Sequence, residues 1–350
     1  MKKYRGIGKL TSLMCIVTLI FVTACSGGQS TAPANEAPKE QPAAPSENTS
    51  SEAPKSGALE NVNIRLFNGP PQGTWRPIAN MVKQVIEESI PGSTVTIEAG
   101  GGASNVIAVD SGEGDLAMAV STSTIDGWKG LAPYTKKMEN IREVGILFEM
   151  PVQLMTFDES INSIGDLKGK RVNVQQKGYS TEVLNQMILK AAGMSYEDIE
   201  EQFLGEADSA GAMRDGQIDA NMHMSSLPNA VSIDLASTGK LRFIPIEQDI
   251  IDKLQAENSG ILPYTMPNGS YSGQNEDVQT IATSVHLIAK KDLPEELVEA
   301  ITKALVEGLP QFQSSFDFYK QMTPEVIAKD IGIPFHPGAE KYFKEANIVK

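Results

Sequence analysis

Past residue 60 the apolar positions fall into two alternating rhythms. Asn63 to Asn68 (NIRLFN) and Thr94 to Ala99 (TVTIEA) read as strands, while Ile78, Met81, Val82, Val85 and Ile86 recur at helical spacing and predict a helix from Ile78 to Ser89. A helix from Ser104 to Ser111 and a strand from Asp115 to Val120 complete a βαβαβ unit. The phrase then recurs. Leu167 to Gln175 holds a strand, Ser180 to Ala192 a helix, Glu200 to Leu204 a strand, Ala207 to Asp215 a helix and Ala220 to His223 a strand. Such alternation is the mark of an α/β fold, and two units of the same order predict two lobes of related topology facing each other, although no short sequence repeat is visible. About 290 residues follow the N-terminal region, which suits two lobes of about 100–150 residues each.

The N-terminus breaks that rhythm. Lys2, Lys3, Arg5 and Lys9 form a basic region, Leu10 to Ala24 an apolar run too short for a membrane-spanning helix, and Val22-Thr23-Ala24-Cys25 looks like the lipobox of a bacterial lipoprotein. Residues 1–24 are then a signal peptide, and Cys25 carries the lipid. The alternative is an ordinary secretory signal with an incidental cysteine. From Ser26 to Ala58 there is no aromatic residue and no Val, Ile, Leu or Met, so no apolar area offsets the entropy of ordering. Residues 25–60 therefore read as a lipidated cysteine followed by a disordered linker, whose reach of roughly 30–35 Å holds a folded body near a membrane.

Charge and cysteine use narrow the function. Removing the four basic residues of the signal from 30 Lys and Arg leaves 26 against 44 Asp and Glu, so the formal charge moves from −14 to −18. That acidity excludes nucleic acid as a partner and suits solubility at a cell surface. The other cysteine, Cys15, lies in the signal, so the folded region has no disulfide, thiolate nucleophile or sulfur metal ligand.

Three turns stand where a strand hands over to a helix: Gly69 to Trp75, Gly100 to Ser104, and Gln176 to Thr181. Unpaired backbone N–H groups at a helix start attract carboxylates or phosphates without basic side chains. Plain capping by Ser104 and Ser180 explains any one turn taken alone. Three at corresponding points point instead to a ligand at the carboxyl ends of the strands. None has the spacing of a Walker A loop or a dinucleotide fingerprint. His223, His286 and His336 fall in separate contexts without zinc spacing, and no nucleophile elbow is present. His223 ends a strand near the turns and reads either as a site residue or as a buried histidine with a backbone partner; His336 reads as fixing a C-terminal turn.

In this order the motifs resemble the TAXI family of solute receptors of TRAP transporters, from about Asn61 to Ala346. The strings that carry the resemblance are Gln72-Gly73-Thr74-Trp75-Arg76-Pro77, Gly101-Gly102-Ala103-Ser104-Asn105, Gly112-Glu113-Gly114-Asp115-Leu116-Ala117 and Asp166 to Val172. They continue with Gly178-Tyr179-Ser180-Thr181, Asp215-Gly216-Gln217-Ile218-Asp219-Ala220, Pro267 to Gln274 and His336 to Glu340. The resemblance implies a two-lobe periplasmic-binding-protein clamshell of type II-like form, each lobe a mixed sheet flanked by helices. It also implies a non-enzyme that binds a small, carboxylated solute and delivers it to an ion-driven permease. Two departures bear on the ligand. Val120-Ser121-Thr122 stands where relatives often have Gln-Ser-Asp, and Arg76 replaces a second tyrosine, so no named ligand carries over.

The expected protein is thus a lipid-anchored, extracytoplasmic monomer without cofactor or metal, binding a small organic anion, dicarboxylate or amino-acid-like. Lobe I is expected over 61–148 and 283–350, and lobe II with the hinge strands over 149–282. Candidate ligand contacts are Gly69, Gln72, Gly73, Thr74, Trp75 and Arg76 in the first turn, and Gly101, Gly102, Ala103 and Ser104 in the second. Ser121 and Thr122 follow the third strand; Lys177, Gly178, Tyr179, Ser180, Thr181, His223 and Ser225 come from the second lobe. A receptor for an ATP-driven importer is the nearest rival. An extracytoplasmic hydrolase is more remote, because no nucleophile–base pair is apparent.

Overall fold

The computed structural model describes residues 62–69 and 75–349. The signal, Cys25, the linker, Gln72, Gly73 and Thr74 lie outside the described residues.

The first unit runs β1 (Asn63–Phe67), α1 (Trp75–Ser89), β2 (Thr94–Glu98), α2 (Ala103–Asp110), β3 (Leu116–Val120) and α3 (Ser121–Lys129), followed by the long strand β4 (Ile141–Thr156). The second runs β5 (Arg171–Asn173), α4 (Ser180–Ala191), β6 (Glu200–Gln202), α5 (Glu206–Arg214), β7 (Ala220–Met224), α6 (Ala230–Ala236), β8 (Arg242–Phe243), α7 (Gln248–Glu257) and β9 (Leu262–Met266). A second long strand, β10 (Val278–Lys290), leads to α8 (Glu295–Glu307), α9 (Leu309–Ser315), a 3₁₀ turn at Asp317–Gln321, α10 (Pro324–Ile327) and α11 (Pro337–Glu345).

Most elements lie within a few residues of expectation. α1 begins at Trp75 rather than Ile78, because Pro77 falls in the first helical turn, where a missing N–H costs nothing. The strand sought within Leu167–Gln175 shrinks to three residues, since Leu167 sits in a 3₁₀ turn and Gly169 turns the chain at φ 71°.

The strand order is β2-β1-β3-β10-β4-β7-β5-β6, with β8 pairing on β4 and β9 on β10. Pairs β1–β2, β1–β3, β5–β6 and β5–β7 are parallel, whereas β10 runs antiparallel to β3, β4 and β9 and β4 antiparallel to β7. β4 pairs in both halves of the sheet, with β10 in one and β7 in the other, and both β4 and β10 carry residues into two cores. One core gathers residues 64–148 and 285–343 with Leu262, and two others gather residues of 152–281. The molecule is an α/β protein of two lobes joined by these two strands.

The two units share a device that no sequence repeat advertises. Asp115, just before β3, accepts the backbone N–H of Arg65 at 2.8 Å, and Asp219, just before β7, accepts that of Arg171 at 2.9 Å. Each aspartate returns its own N–H to the carbonyl of the same arginine. Asp219 also holds the Arg171 guanidinium through both carboxyl oxygens, at 3.0 and 2.5 Å. Two motif strings, Gly112–Ala117 and Asp215–Ala220, therefore fasten the amino ends of central parallel strands.

Candidate functional site

At the opposite, carboxyl ends of those strands, each lobe uses one asparagine to satisfy two carbonyls. Asn105 of α2 donates to Asn68 O at 3.0 Å and Met118 O at 2.7 Å; Asn185 of α4 donates to Val174 O at 3.2 Å and Met222 O at 3.0 Å. Both asparagines are fully buried. The amides clamp the ends of β1 and β3, and of β5 and β7, so the turns above them spring from fixed platforms.

In the first lobe, Asn105 Oδ1 also accepts the Gly101 N–H at 2.7 Å. Gly102 caps α2 with φ 52° and ψ −134°, a conformation open to glycine and strained for other residues, and a Cβ there would meet nothing within 4 Å. No side chain caps this helix. Ser104 is not the N-cap: its hydroxyl donates back to Gly101 O at 2.6 Å from inside the helix. Gly102, Ala103 and Ser104 thus form an accessible helix start without an acidic residue in its first turn. Asn68 was missed by sequence reasoning. It is fully buried at the end of β1, and neither side-chain amide atom has a partner among the described residues. Its signal was an amide at the boundary between a strand and a glycine turn. Gly69 is buried; Trp75 and Arg76 are half-buried at the start of α1, and Arg76 makes no ion pair among the described residues.

The second lobe places Lys177, Gly178, Tyr179 and Ser180 on the surface, with Thr181 half-buried. Ser180 is not the N-cap either, because Tyr179 holds that position and Ser180 opens the helix. The Gly178 N–H is already taken, donating to Glu182 Oε2 at 3.1 Å. Burial works against ionisation of Glu182, yet hydrogen bonds from Tyr196, Gly178 and Gln186 outweigh it and hold the carboxyl below its ordinary range. Lys177 stands 5.3 Å above the Phe203 ring. Beneath the turn, Asn221 Oδ1 accepts from Asn173 and Gln175, both at 2.9 Å, and its amide donates to Ser209.

Ser121 and Thr122 do not project from an open helix start. Ser121 is fully buried; its hydroxyl donates to Gly260 O at 2.6 Å and accepts the Ser284 N–H at 3.0 Å. Thr122 O accepts from Asn258. The turn before β9 covers the start of α3, since β9 continues along β10 where β3 ends. His223 is buried with Nε2 3.3 Å from Glu206 Oε1, so its partner is a carboxylate rather than backbone. That contact, against the cost of burial, holds the Glu206 carboxyl below its ordinary range. Ser225 is half-buried, and its carbonyl faces the Gln153 amide at 3.4 Å. His286 lies in the first core 3.0 Å from Glu143, and burial raises the Glu143 carboxyl above the usual range. His336 caps α11, with Nδ1 accepting the Gly338 N–H.

Near the lobe junction Gln153 Oε1 accepts from Asn229, Ser232 and the Tyr271 hydroxyl at 3.1, 2.7 and 2.9 Å. This knot ties the Pro267–Gln274 string to the strand that joins the lobes.

A cavity of about 230 Å³ opens between the first and third cores. Its lining is Glu149 of β4, Leu227 after β7, Pro263, Tyr264 and Thr265 of β9, and Phe318, Gln321 and Met322 at the turn after α9. Glu149 Oε1 pairs with Lys329 Nζ at 3.2 Å, and the Tyr264 hydroxyl donates to Gln321 at 2.9 Å. Burial pushes the Tyr264 phenol well above its ordinary range, with Glu149 adding to the effect. None of the turn residues picked out from sequence lines this cavity. Its residues come from four separated segments, and the one visible signal was a glutamate placed where the lobes divide.

The NMT1-like family matches the chain over residues 67–346. Among solved structures, a TctC solute binding protein from Polaromonas is 16% identical, with 74% of this chain and 86% of that chain covered and a TM-score of 0.52. The periplasmic aliphatic sulphonate binding protein SsuA from Escherichia coli is 18% identical over 81% of this chain and 83% of its own, with a TM-score of 0.43. The likeness to the TctC protein is one of fold, the two-lobe α/β architecture described above.

Proposed function

The chain belongs to the NMT1-like family, and from that premise we propose that it is an extracytoplasmic solute-binding protein, tethered to the membrane through Cys25, whose lobes close on a small solute. The observation that carries this reading is the pair of strands β4 and β10, which run from one core into the other and are the natural hinge of a closing cleft. The ends of β1 and β3 in one lobe, and of β5 and β7 in the other, carry the turns that would meet the solute. We assign the open helix start at Gly102–Ser104 and the surface turn at Lys177–Thr181 to opposite walls of the cleft, with Asn68 behind the first. His223 and Ser225 belong to the second wall.

The solute is released to an integral membrane permease, and the motif strings favour the ion-driven TRAP type, TAXI subfamily. The family match is broader than that subfamily, which keeps an ATP-driven importer as the second reading. Genes for a multi-spanning TRAP permease beside this one would favour the first, and a gene for an ATPase the second. The protein has no catalytic task in this reading.

The direct test is native mass spectrometry of the protein as purified, followed by small-angle scattering with and without the solute recovered. Closure shows as a smaller radius of gyration on adding the solute. A solute that binds without any change in dimensions would overturn the closing mechanism.

A further inference from the structure

We propose that the cavity beside Glu149 takes an alkylammonium group, so that the solute carries a protonated amine; the inference rests on the receptor reading and specifies its ligand. Glu149 is the charged side chain of the lining, and no lysine, arginine or histidine lines the cavity beside it. A carboxylate or phosphate entering there would meet a like charge whose cation, Lys329, stands outside the lining and is held by Oε1, whereas an ammonium group would meet an opposite charge at Oε2. Lys329 occupies Glu149 Oε1 from outside the lining, and no protein donor reaches Oε2 among the described residues. One lone-pair face of a carboxylate only 13% exposed is therefore left for a donor.

The remaining surface suits the same guest. Phe318 and Tyr264 present aromatic rings, whose faces attract cations, and Leu227, Pro263 and Met322 match an alkyl chain. The Tyr264 proton is already given to Gln321, so its phenol oxygen turns a lone pair, not a donor, to further partners. Glu149 Oε2 and the Tyr264 oxygen offer lone pairs to a cationic guest, while Thr265 and Gln321 add neutral polar groups to the wall. The lining comes from both lobes, so an amine seated there contacts the hinge strand β4 and residues of both cores at once.

The test uses the full mature protein with n-butylammonium and butyrate, ions of the same chain length and opposite charge, compared by saturation-transfer NMR and equilibrium dialysis. Butylammonium is expected to bind and butyrate not to. Glu149→Gln should weaken butylammonium at least tenfold, and Phe318→Leu several-fold, each with an unchanged circular dichroism spectrum. If Glu149→Gln fails to fold without its Lys329 partner, Phe318→Leu and Tyr264→Leu still test the rings. Butyrate binding in place of butylammonium, or amine binding indifferent to all three substitutions, overturns the proposal; so does binding of neither ion. An amine-free anion recovered from the native protein that closes the lobes would overturn this inference and leave the receptor reading standing, whereas failure of every recovered solute to close the lobes strikes at the receptor reading itself.

Discussion

The Ser121 hydroxyl donates to the Gly260 carbonyl at 2.6 Å, joining the first helical residue of α3 to a turn 139 positions further along the chain. The same oxygen accepts the Ser284 N–H, so a single buried side chain ties α3, the turn before β9, and β10 where it crosses between lobes. Removing it strands a buried carbonyl and a buried N–H. Ser121→Ala should therefore cost about 1–3 kcal/mol of stability. Gly260→Ala should be worse, because a Cβ there would stand 2.6 Å from the Ser121 carbonyl carbon, against the Ser121–Thr122 peptide rather than a flexible side chain. Urea denaturation of both variants checks the order; a Ser121→Ala variant within 0.3 kcal/mol of the parent would show that the tie is not used.

The Arg171–Asp219 pair sets a definite pH dependence. Hydrogen bonds from Arg171, working against partial burial, hold the Asp219 carboxyl below its ordinary range. A depressed carboxyl contributes stability that is complete above the unfolded value of about 3.9 and is lost as pH falls through the lower folded value. The guanidinium is partly exposed, so solvent screening keeps the contribution small. Arg171→Gln should thus be less stable than the parent at pH 7, and the gap should narrow below pH about 4. Denaturation series at pH 7, 4 and 2.5 measure it, and a gap that stays constant across the three would refute the linkage.

Much of this architecture can be read from local pattern, and the parts that cannot share a cause. The alternation in Asn63–Phe67 reappears as alternating burial along β1, and the spacing of Ile78, Val82, Val85 and Ile86 reappears as the buried face of α1. Both depend on neighbours within one element. Ser121 stood among the candidate contacts because it follows the third strand, where the resembled family often has Gln-Ser-Asp; its partners in the fold are brought by β9 and β10. Asp219 stood in the most specific motif, yet its task concerns Arg171, 48 residues earlier. Such a string records a structural clasp as readily as a binding site. The cavity beside Glu149 was invisible for the same reason, since the pairing of β9 with β10 and the packing of the turn after α9 assemble it from distant segments.

The glycine turn supplies a prediction that separates backbone from side-chain recognition. Gly102 holds a conformation costly for any L-residue, by about 1–3 kcal/mol, while a Cβ would enter open space rather than clash. Gly102→Ala should lower stability by that amount, and Gly102→Val should in addition obstruct the approach of a solute to the start of α2. Ser180→Ala, which removes an exposed hydroxyl, should leave stability within 0.5 kcal/mol, as surface changes do. Its solute affinity should fall by about 1 kcal/mol, or 1.5–3 if the hydroxyl meets an ionised group. Calorimetry with the recovered solute decides: affinity unchanged in both Gly102→Val and Ser180→Ala would place the solute away from these turns.

The anchor is testable apart from the fold. Val22-Thr23-Ala24-Cys25 offers a thiol directly after small residues, and the stretch from Ser26 to Ala58 lacks the apolar residues needed to build onto a core. Acylation of Cys25 should therefore govern location without governing stability. Cys25→Ser, expressed in a bacterium that processes lipoproteins, should lose incorporation of a labelled fatty acid and leave the membrane fraction wherever another peptidase cleaves the signal. Its melting temperature should match that of the acylated parent within 1 °C, because a ΔΔG of 1 kcal/mol would shift a body of this size by about 2–4 °C. Absence of label on the parent would refute the lipoprotein assignment, and a large loss of thermal stability in Cys25→Ser would show that the N-terminal region packs on the folded body after all.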